Sequence, residues 1–315
     1  MRKPNVLVHS PKYHTDMNAF GIATPFALDR GQLVLDALAA QWQFKIRALK
    51  PRLLTQADLR LVHTPEYLAS LSKPEVWSEI FGLRFQPPAK TPATRQLPEL
   101  LDDFRLKGGG TRLAAKLALK HGLAANLGAG YHHAFADHGE GFCAINDIAI
   151  TIRWLQKHGL IKRALVVDVD FHQGNGTAKI FEGDDSVATL SVHSAEAWPH
   201  EKQKSTVDVR IKYDESAQYL TRLRQALTDL LARFQPDICI FVQGSDAYEK
   251  DAITNGFLMR LTLEQLKERD QFVIDSCADR NIPLALCFAG GYGPECWRVH
   301  FNAVRHLLER AWNKR

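Results

Sequence analysis

Three runs of apolar residues each lead into side chains that could bind a metal ion or move a proton. The first run, 164–167, continues into Asp168, Asp170 and His172, and Asp246 follows a second run. Side chains two residues apart on an extended chain point the same way, so the first three can project to one side of a sheet. Carboxylates and an imidazole with one position open for water are typical of a catalytic divalent metal. A polar strand end with an ordinary ion pair is the alternative.

A glycine-flanked loop holds two adjacent histidines, His132 and His133. Adjacent side chains do not share one helical face, but both can enter a pocket from a loop. Two solvated histidines on the surface are the alternative, because histidine has many structural roles. The third apolar run, 284–288, leads into Gly290-Gly291-Tyr292. The phenol of Tyr292 is therefore expected at the same strand ends as the aspartates.

The elements that must position these residues alternate between strands and helices. The pattern predicts strands at 6–8, 42–46, 164–167, 187–192, 238–242 and 284–288. It predicts helices at 26–41, 63–68, 111–120, 147–158, around 178, and at 216–234, 263–279 and 296–312, with an irregular region at 73–98. This alternation indicates a mostly parallel sheet covered by helices on both faces. In such sheets ligands bind beyond the carboxyl ends of the strands.

Composition and charge exclude several classes of protein. The chain has 315 residues, 45% of them hydrophobic and 24% charged, so it can bury a large core and is not intrinsically disordered. The net charge of +5 is spread without a run of five like charges, so no dedicated nucleic-acid arm is expected. Since composition does not change along the chain, we predict one domain, 1–315. Oligomeric state is left open.

Cysteine usage and hydropathy predict a reducing compartment. The five cysteines form no C-x-x-C pair, and an odd number suits free thiols better than disulfides. No signal-peptide pattern and no apolar stretch of about 18 residues are found. We therefore expect a cytoplasmic protein without a membrane partner.

Taken together, these residues resemble the zinc-dependent histone deacetylase and acetylpolyamine amidohydrolase family. The motifs that carry the resemblance are His132-His133-Ala134, 139–143, Asn146-Asp147, 168–176, Ser191-Val192-His193, Gly244-Ser245-Asp246 and Gly290-Gly291-Tyr292. They occur in the family's order, and the match runs from Pro25-Phe26 to the last helix. The His-Gln-Gly-Asn-Gly form is similar to class IV and many bacterial members. The resemblance implies the arginase/deacetylase fold, a three-layer α/β/α sandwich with a mainly parallel central sheet.

The resemblance also implies a role for each site residue. Asp170, His172 and Asp246 match the ligands of one Zn²⁺ per chain, which would activate water and polarise the substrate's amide carbonyl. His133 matches the general base, which later acts as acid toward the leaving amine. Tyr292 matches the hydroxyl that stabilises the oxyanion.

The remaining roles are supporting ones. His132 is the electrostatic neighbour of the base, and Asp168 orients His132. The residues implied for the narrow substrate channel are Gly141, Phe142, Trp198, Gly290 and Gly291. Plain packing is the alternative for Trp198. A structural K⁺ ion is implied at the main-chain oxygens of Asp168, Asp170, His172 and Val192 and the hydroxyl of Ser191.

The chain departs from many relatives at two places. Asn175 stands where they have an aspartate beside the catalytic histidine. A neutral amide can orient His133 but cannot stabilise its imidazolium, so we expect a lower His133 pKa than in a relative with aspartate. The stretch 248–256 replaces a shorter turn, and its role is not evident from the sequence.

The predicted function is removal of an acetyl or other acyl group from the side-chain amine of lysine in a protein or peptide. An acetylated polyamine or another small amide is the alternative substrate. A two-metal ureohydrolase of the same fold is a competing reading, but it needs a further aspartate where Tyr248 stands. A non-catalytic acyl-lysine-binding protein is the third reading, because fold alone does not establish activity.

Overall fold

The strands form one parallel sheet, as the sequence pattern predicts. A computed structural model describes residues 5–22, 29–85, 92–254 and 258–313. Within these residues the strands are β1 (Leu7–Val8), β2 (Leu123–Asn126), β3 (Ala164–Asp168), β4 (Val187–Ser194), β5 (Val207–Ile211), β6 (Ile238–Gln243) and β7 (Leu284–Phe288). Their order is β1-β2-β7-β6-β3-β4-β5, and every pair is parallel. The carboxyl ends of β7, β6 and β3 therefore lie side by side.

Helices cover both faces of this sheet. The described helices are α1 (Arg30–Trp42), α2 (Gln56–Leu59), α3 (Pro65–Ser70), α4 (Pro74–Ile80), α5 (Leu100–His121), α6 (Asp147–Lys157), α7 (Asn175–Ile180), α8 (Tyr219–Arg233), α9 (Leu263–Ala278) and α10 (Trp297–Asn313). Helices α1, α10, α9 and α8 contact one another in that order and form one layer, while α5 packs against α6 and the sheet in another. The fold is the expected three-layer α/β/α sandwich. None of the described helices combines the length and apolar character needed to cross a membrane.

Two apolar clusters support the site from different sides. The larger one surrounds the sheet, whose strands β3, β6 and β7 are buried along their whole length. Continuous apolar strands are expected where helices cover both faces. The smaller cluster includes Trp77, Phe81 and Phe104, and Phe142 packs against it. This second core supports the loop that follows the histidine pair.

Helix α5 is longer than predicted, because the sequence Gly108-Gly109-Gly110 lies inside it. Each glycine costs about 1 kcal/mol relative to alanine in a helix interior, so a run of three predicts a break. In the structure all three are buried, and a side chain at Gly109 would collide with the carbonyl oxygen of Arg52. Close packing of neighbouring segments thus requires glycine without ending the helix.

The predicted strand at 42–46 is wrong. Trp42 is the last residue of α1, and Gln43 adopts the left-handed conformation that ends the helix. The rings of Trp42 and Phe44 instead pack against Trp312 of α10. Pairing of the edge strand with this region is limited to one bridge between Val8 and Leu49.

Other differences concern short or edge elements. The sequence pattern missed β2 and β5, and the predicted irregular region 73–98 contains α4. Strand β2 reads Leu-Ala-Ala-Asn, which has no β-branched residue to mark it. The predicted helix start at Pro25-Phe26 lies outside the described residues, and the described helix begins at Arg30.

A buried ion pair on α9 ties together the two loops that carry the site's aspartates. Arg269 and Asp270 are both fully buried, with Nε of Arg269 2.7 Å from Oδ1 of Asp270. Arg269 also donates to the carbonyl oxygens of Val169 (3.0 Å) and Gly244 (2.8 Å). Val169 directly precedes Asp170, and Gly244 lies two residues before Asp246. The ion pair is thus part of the scaffold beneath the site.

Arg269→Met is expected to lower the free energy of unfolding by about 3–5 kcal/mol, because Asp270 would stay buried without its partner charge. Urea denaturation measures the change. Arg224→Met breaks an exposed pair with Glu268 and should cost less than about 1 kcal/mol. The double variant Arg269→Met/Asp270→Leu should recover part of the loss. A single variant as stable as the parent protein would contradict this account.

Candidate active site

The structure brings the predicted metal ligands together at the carboxyl ends of β3 and β6. Asp168 is the last residue of β3, and Asp170 and His172 lie in the turn that follows. Asp246 lies three residues beyond the end of the neighbouring β6. Three ligand atoms, one from each of Asp170, His172 and Asp246, lie within 4.8 Å of one another. Among the described residues this is the one group of three that could hold a metal ion.

Backbone contacts hold this group in place. Asp246 Oδ1 accepts a hydrogen bond from the amide of Phe171 (2.9 Å), and Asp170 Oδ2 accepts one from the amide of Gly290 (2.7 Å). A side chain at Gly290 or Gly244 would collide with these carboxylates. The glycines after β6 and β7 are therefore required by the close approach of backbone and carboxylate.

The charges of the group fit a bound cation. Burial raises the pKa of Asp246 to about 7, and the adjacent Asp170 carboxylate adds to this effect. Burial alone would lower the pKa of His172, but hydrogen bonds and charges from Asp170 and Asp246 raise it to about 10. A divalent cation would offset the repulsion between the two buried carboxylates. Two carboxylates and one imidazole are a ligand set that suits Zn²⁺ and leaves a position for water.

The histidine pair enters the same site from its loop. Asn146 and Asp147, at the start of α6, hold the loop: Asp147 Oδ1 accepts from the amide of Tyr131 (2.7 Å), and Asn146 Nδ2 donates to the carbonyl of Ala134 (3.0 Å). The rings of His132 and His133 are buried, with centroids 4.0 Å apart. The alternative of two solvated histidines is therefore wrong.

The two histidines have opposite electrostatic environments. His132 Nδ1 donates to Asp168 Oδ2 at 2.7 Å. Burial would lower the pKa of His132, but the Asp168 and Asp170 carboxylates raise it to about 9. Burial lowers the pKa of His133 well below its ordinary value, and positive charge on His132 and His172 lowers it further. These surroundings thus favour the protonated form of His132 and the neutral form of His133, which can accept a proton.

A cavity of about 190 Å³ joins these groups to four of the five predicted channel residues. Gly141, Phe142, Gly290 and Gly291 line it together with His133 and Tyr292. Trp198 is not among the lining residues; it packs edge-on against the ring of His133, with centroids 4.7 Å apart. The structure thus records a packing contact for Trp198, and its channel role stays a prediction.

Gly141 meets a specific backbone requirement beside the general base candidate. Its φ is +54°, and a Cβ there would lie 2.6 Å from both the His133 ring and the Trp198 ring. The adjacent Phe142 also has a positive φ, and its ring meets Tyr292 at 6.2 Å in a T-shaped contact. Gly141 therefore lets the loop turn tightly around His133.

Sequence reasoning missed Asp251, which holds the backbone next to Tyr292. Asp251 is buried, and its Oδ2 accepts from the amide of Tyr292 at 2.7 Å. Its Oδ1 accepts from the amides of Ile253 and Thr254. The stretch 248–256 thus supports the tyrosine segment, although its residues 255–256 lie outside the described residues. An aspartate that binds amides two and three residues onward is a turn signal that the sequence does contain.

Arg30 was also missed, and it anchors the Gly290-Gly291 segment. It donates to the carbonyl oxygens of Ala289 (2.9 Å), Gly290 (3.2 Å) and Gly291 (3.1 Å). Arg30 also lines the cavity, together with Tyr13 and Lys107. No local pattern marks Arg30, because its partners are about 260 residues away in sequence.

The predicted K⁺ site stays a prediction. Its Ser191 pairs directly with Asp168 in the register of β4 and β3, so these two proposed ligands are neighbours. Ser191 Oγ lies 2.9 Å from His193 Nδ1. Val192 follows within the buried part of β4.

Comparisons with known proteins agree with the fold and show the family of the chain. The chain matches the histone deacetylase domain over residues 24–307. It is 35% identical over 289 residues to an uncharacterized protein of Picosynechococcus, covering 91% of this chain and 90% of that protein. It is 30% identical over 308 residues to histone deacetylase 2 of Arabidopsis thaliana, covering 96% of this chain and 78% of the relative.

Two further similarities extend this result. The acetoin utilization protein AcuC of Bacillus subtilis is 30% identical over 335 residues, with 98% of this chain and 80% of AcuC covered. The crystal structure of the HDA15 HD domain has a TM-score of 0.74 at 20% identity, covers 98% of this chain and is itself covered over 91%, which shows a shared fold. By its domain match and these relatives, the chain belongs to the histone deacetylase family.

Proposed function

We propose that the protein is a zinc-dependent amidohydrolase that removes an acetyl or other acyl group from the side-chain amine of lysine in a protein or peptide. One observation carries the proposal: the buried His133, a three-residue group that could hold a metal ion and the Tyr292 segment meet at one cavity, and burial lowers the pKa of His133. Membership of the histone deacetylase family supports a deacetylase activity. The competing ureohydrolase reading lacks support, since Tyr248 is a buried residue where that chemistry needs a carboxylate.

One Zn²⁺ per chain would be held by Asp170, His172 and Asp246. When bound, it would polarise the amide carbonyl and lower the pKa of a water molecule. Proton transfer is carried out by a residue of the chain itself. His133 accepts the water proton while the oxygen–carbon bond forms, and it delivers that proton to the amide nitrogen while the carbon–nitrogen bond breaks. The immediate products are a carboxylic acid, which keeps the second water proton, and a free amine; at neutral pH that proton passes from the acid to the amine, giving a carboxylate and an ammonium ion.

Tyr292 is suited to donate a hydrogen bond to the carbonyl oxygen as negative charge develops there. Burial raises the pKa of Tyr292 well above its ordinary value, and the Asp246 and Asp170 carboxylates add to this effect. The phenol therefore keeps its proton at neutral pH. A preorganised donor of this kind typically contributes about 10²–10³ in kcat.

Acyl-lysine is preferred as the substrate over an acetylated polyamine. No acidic insertion that would attract a free polyamine cation occurs in the sequence. The non-catalytic binding protein is disfavoured, since each position matched to the reaction carries a competent side chain. We further propose one catalytic domain over residues 1–315, a cytoplasmic location and no nucleic-acid or membrane partner.

Tyr292→Phe and a substrate panel test this function. An acetyl-lysine peptide and an acetylated polyamine are assayed with zinc and after chelation. The peptide should be hydrolysed only with zinc, and Tyr292→Phe should lower kcat by about 10²–10³. Faster hydrolysis of the polyamine would replace the substrate class. Binding of the peptide without turnover by the zinc-loaded protein would support the non-catalytic reading instead.

A further inference from the structure

The Glu140 carboxylate is hydrogen-bonded to Asn175, whose side-chain amide contacts the general base candidate His133. His133 Nδ1 lies 2.8 Å from Asn175 Oδ1, and Asn175 Nδ2 donates to Glu140 Oε1 at 2.5 Å. His133 and Asn175 are buried, and Glu140 is half-buried. The three side chains form one continuous line of hydrogen bonds, the Glu140 line, from the buried His133 to the half-buried Glu140.

This line determines which nitrogen of His133 can accept a proton. The Glu140 carboxylate only accepts hydrogen bonds, so it orients the Asn175 amide with Nδ2 toward itself. Asn175 Oδ1 then faces His133 and requires a proton on Nδ1. The lone pair of the neutral ring is therefore on Nε2, the nitrogen not engaged by Asn175.

The line also supplies a negative charge that the amide lacks. His133 becomes an imidazolium when it takes the water proton, and a neutral amide alone stabilises that charge poorly. Glu140 polarises the Asn175 amide, which strengthens the hydrogen bond from Nδ1 to Oδ1, since linked hydrogen bonds polarise one another. The departure seen at Asn175 is thus accompanied by a carboxylate one side chain farther away.

The backbone holds Glu140 in this position on both sides. Its carbonyl oxygen accepts from the amide of Cys143 at 2.9 Å. Gly139 packs so closely that a Cβ there would lie 2.5 Å from Tyr67 Oη, and Gly141 turns around the His133 ring. The carboxylate is therefore preorganised, which is the condition for an effect on the base.

We propose that Glu140 is a positioning residue for His133, acting through Asn175 by fixing the amide orientation and supplying charge. This role rests on the proposed function, because it concerns the same general base. It adds to the site a residue that neither reacts nor binds the metal ion.

Glu140→Gln tests the charge, because glutamine keeps an acceptor for Asn175 Nδ2 and removes only the charge. With the acetyl-lysine peptide, kcat should fall about tenfold, the lower end of the effect of outer-shell partners, and KM should stay within twofold. The double variant Glu140→Gln/Asn175→Asp places a carboxylate directly on His133 and should return kcat to within about threefold of the parent. Asp137→Asn removes an exposed charge from the same loop as a matched control.

A second measurement does not depend on turnover. In proton NMR of the metal-free protein, the Nδ1–H resonance of His133 should move upfield in Glu140→Gln and downfield again in the double variant. An unchanged kcat and resonance in Glu140→Gln would overturn the proposal, as would a kcat loss that the double variant does not restore. A change in KM alone would assign Glu140 to substrate attraction. Absence of all amide hydrolysis by the parent would refute the proposed function but leave the NMR test of the Glu140 line intact.

Discussion

Asp170→Asn is expected to lower zinc affinity by more than about 10²-fold and to abolish hydrolysis of the acetyl-lysine peptide. Outer-shell partners of a metal site typically contribute about 10–100-fold, and a direct ligand should exceed that range. Asp170 is held in place by the Gly290 amide, and its carboxylate lies 3.4 Å from His172 Nδ1. Loss of its charge therefore removes one of the three proposed ligands and leaves Asp246 as the one charged ligand of the group.

Competition with a chromophoric chelator measures the zinc affinity of Asp170→Asn. Asp185→Asn is the matched control, because Asp185 is exposed and outside the site. The parent protein should lose activity on chelation and regain it when one equivalent of zinc is added. Zinc binding by Asp170→Asn as tight as in the parent would refute this ligand assignment. Two equivalents of tightly bound metal in the parent would favour the ureohydrolase reading.

His133→Ala is expected to lower kcat by about 10²–10⁴ while zinc affinity stays unchanged. A positioned general acid or base contributes an effect of this size. His133 suits the role because burial keeps it neutral, whereas His132 stays protonated beside Asp168. Steady-state kinetics and the same chelator competition measure both quantities.

His138→Ala is the control for this variant, because His138 is an exposed histidine in the same loop and pairs with Asp137. It should leave kcat unchanged. A His133→Ala protein that retains kcat within tenfold of the parent would show that another group accepts the water proton. Compared with Asp170→Asn, which loses both zinc and activity, His133→Ala separates proton transfer from metal binding.

The sequence alone predicts the elements that are locally distinct. Strands β3, β6 and β7 are apolar and rich in β-branched or large residues, and polar residues follow directly, so both the strands and their site residues can be recognised. The predicted segment 284–288 coincides with β7, and the family resemblance is confirmed over residues 24–307. The single domain and the individual residue roles stay predictions.

The sequence misleads where local preference and tertiary packing disagree. The sequence pattern predicts a helix that begins only after three consecutive glycines, yet α5 runs through them, and Gly109 is required because it passes close to the Arg52 carbonyl. Trp42, Phe44 and Ile46 alternate as in a strand. The rings of Trp42 and Phe44 nevertheless pack against Trp312 of α10. Each error reflects a contact with a distant segment that propensity does not contain.

The chemical groups of the site and the strand ends that carry them can be recognised from local sequence patterns, because side-chain alternation is a local property of the chain. The orientation of these groups depends on tertiary contacts. The contact of Glu140 with Asn175 spans 35 residues, that of Asp251 with Tyr292 spans 41, and that of Arg30 with Gly290 spans 260. Such contacts depend on how loops meet at the edge of the folded sheet, and no periodicity along the chain encodes them.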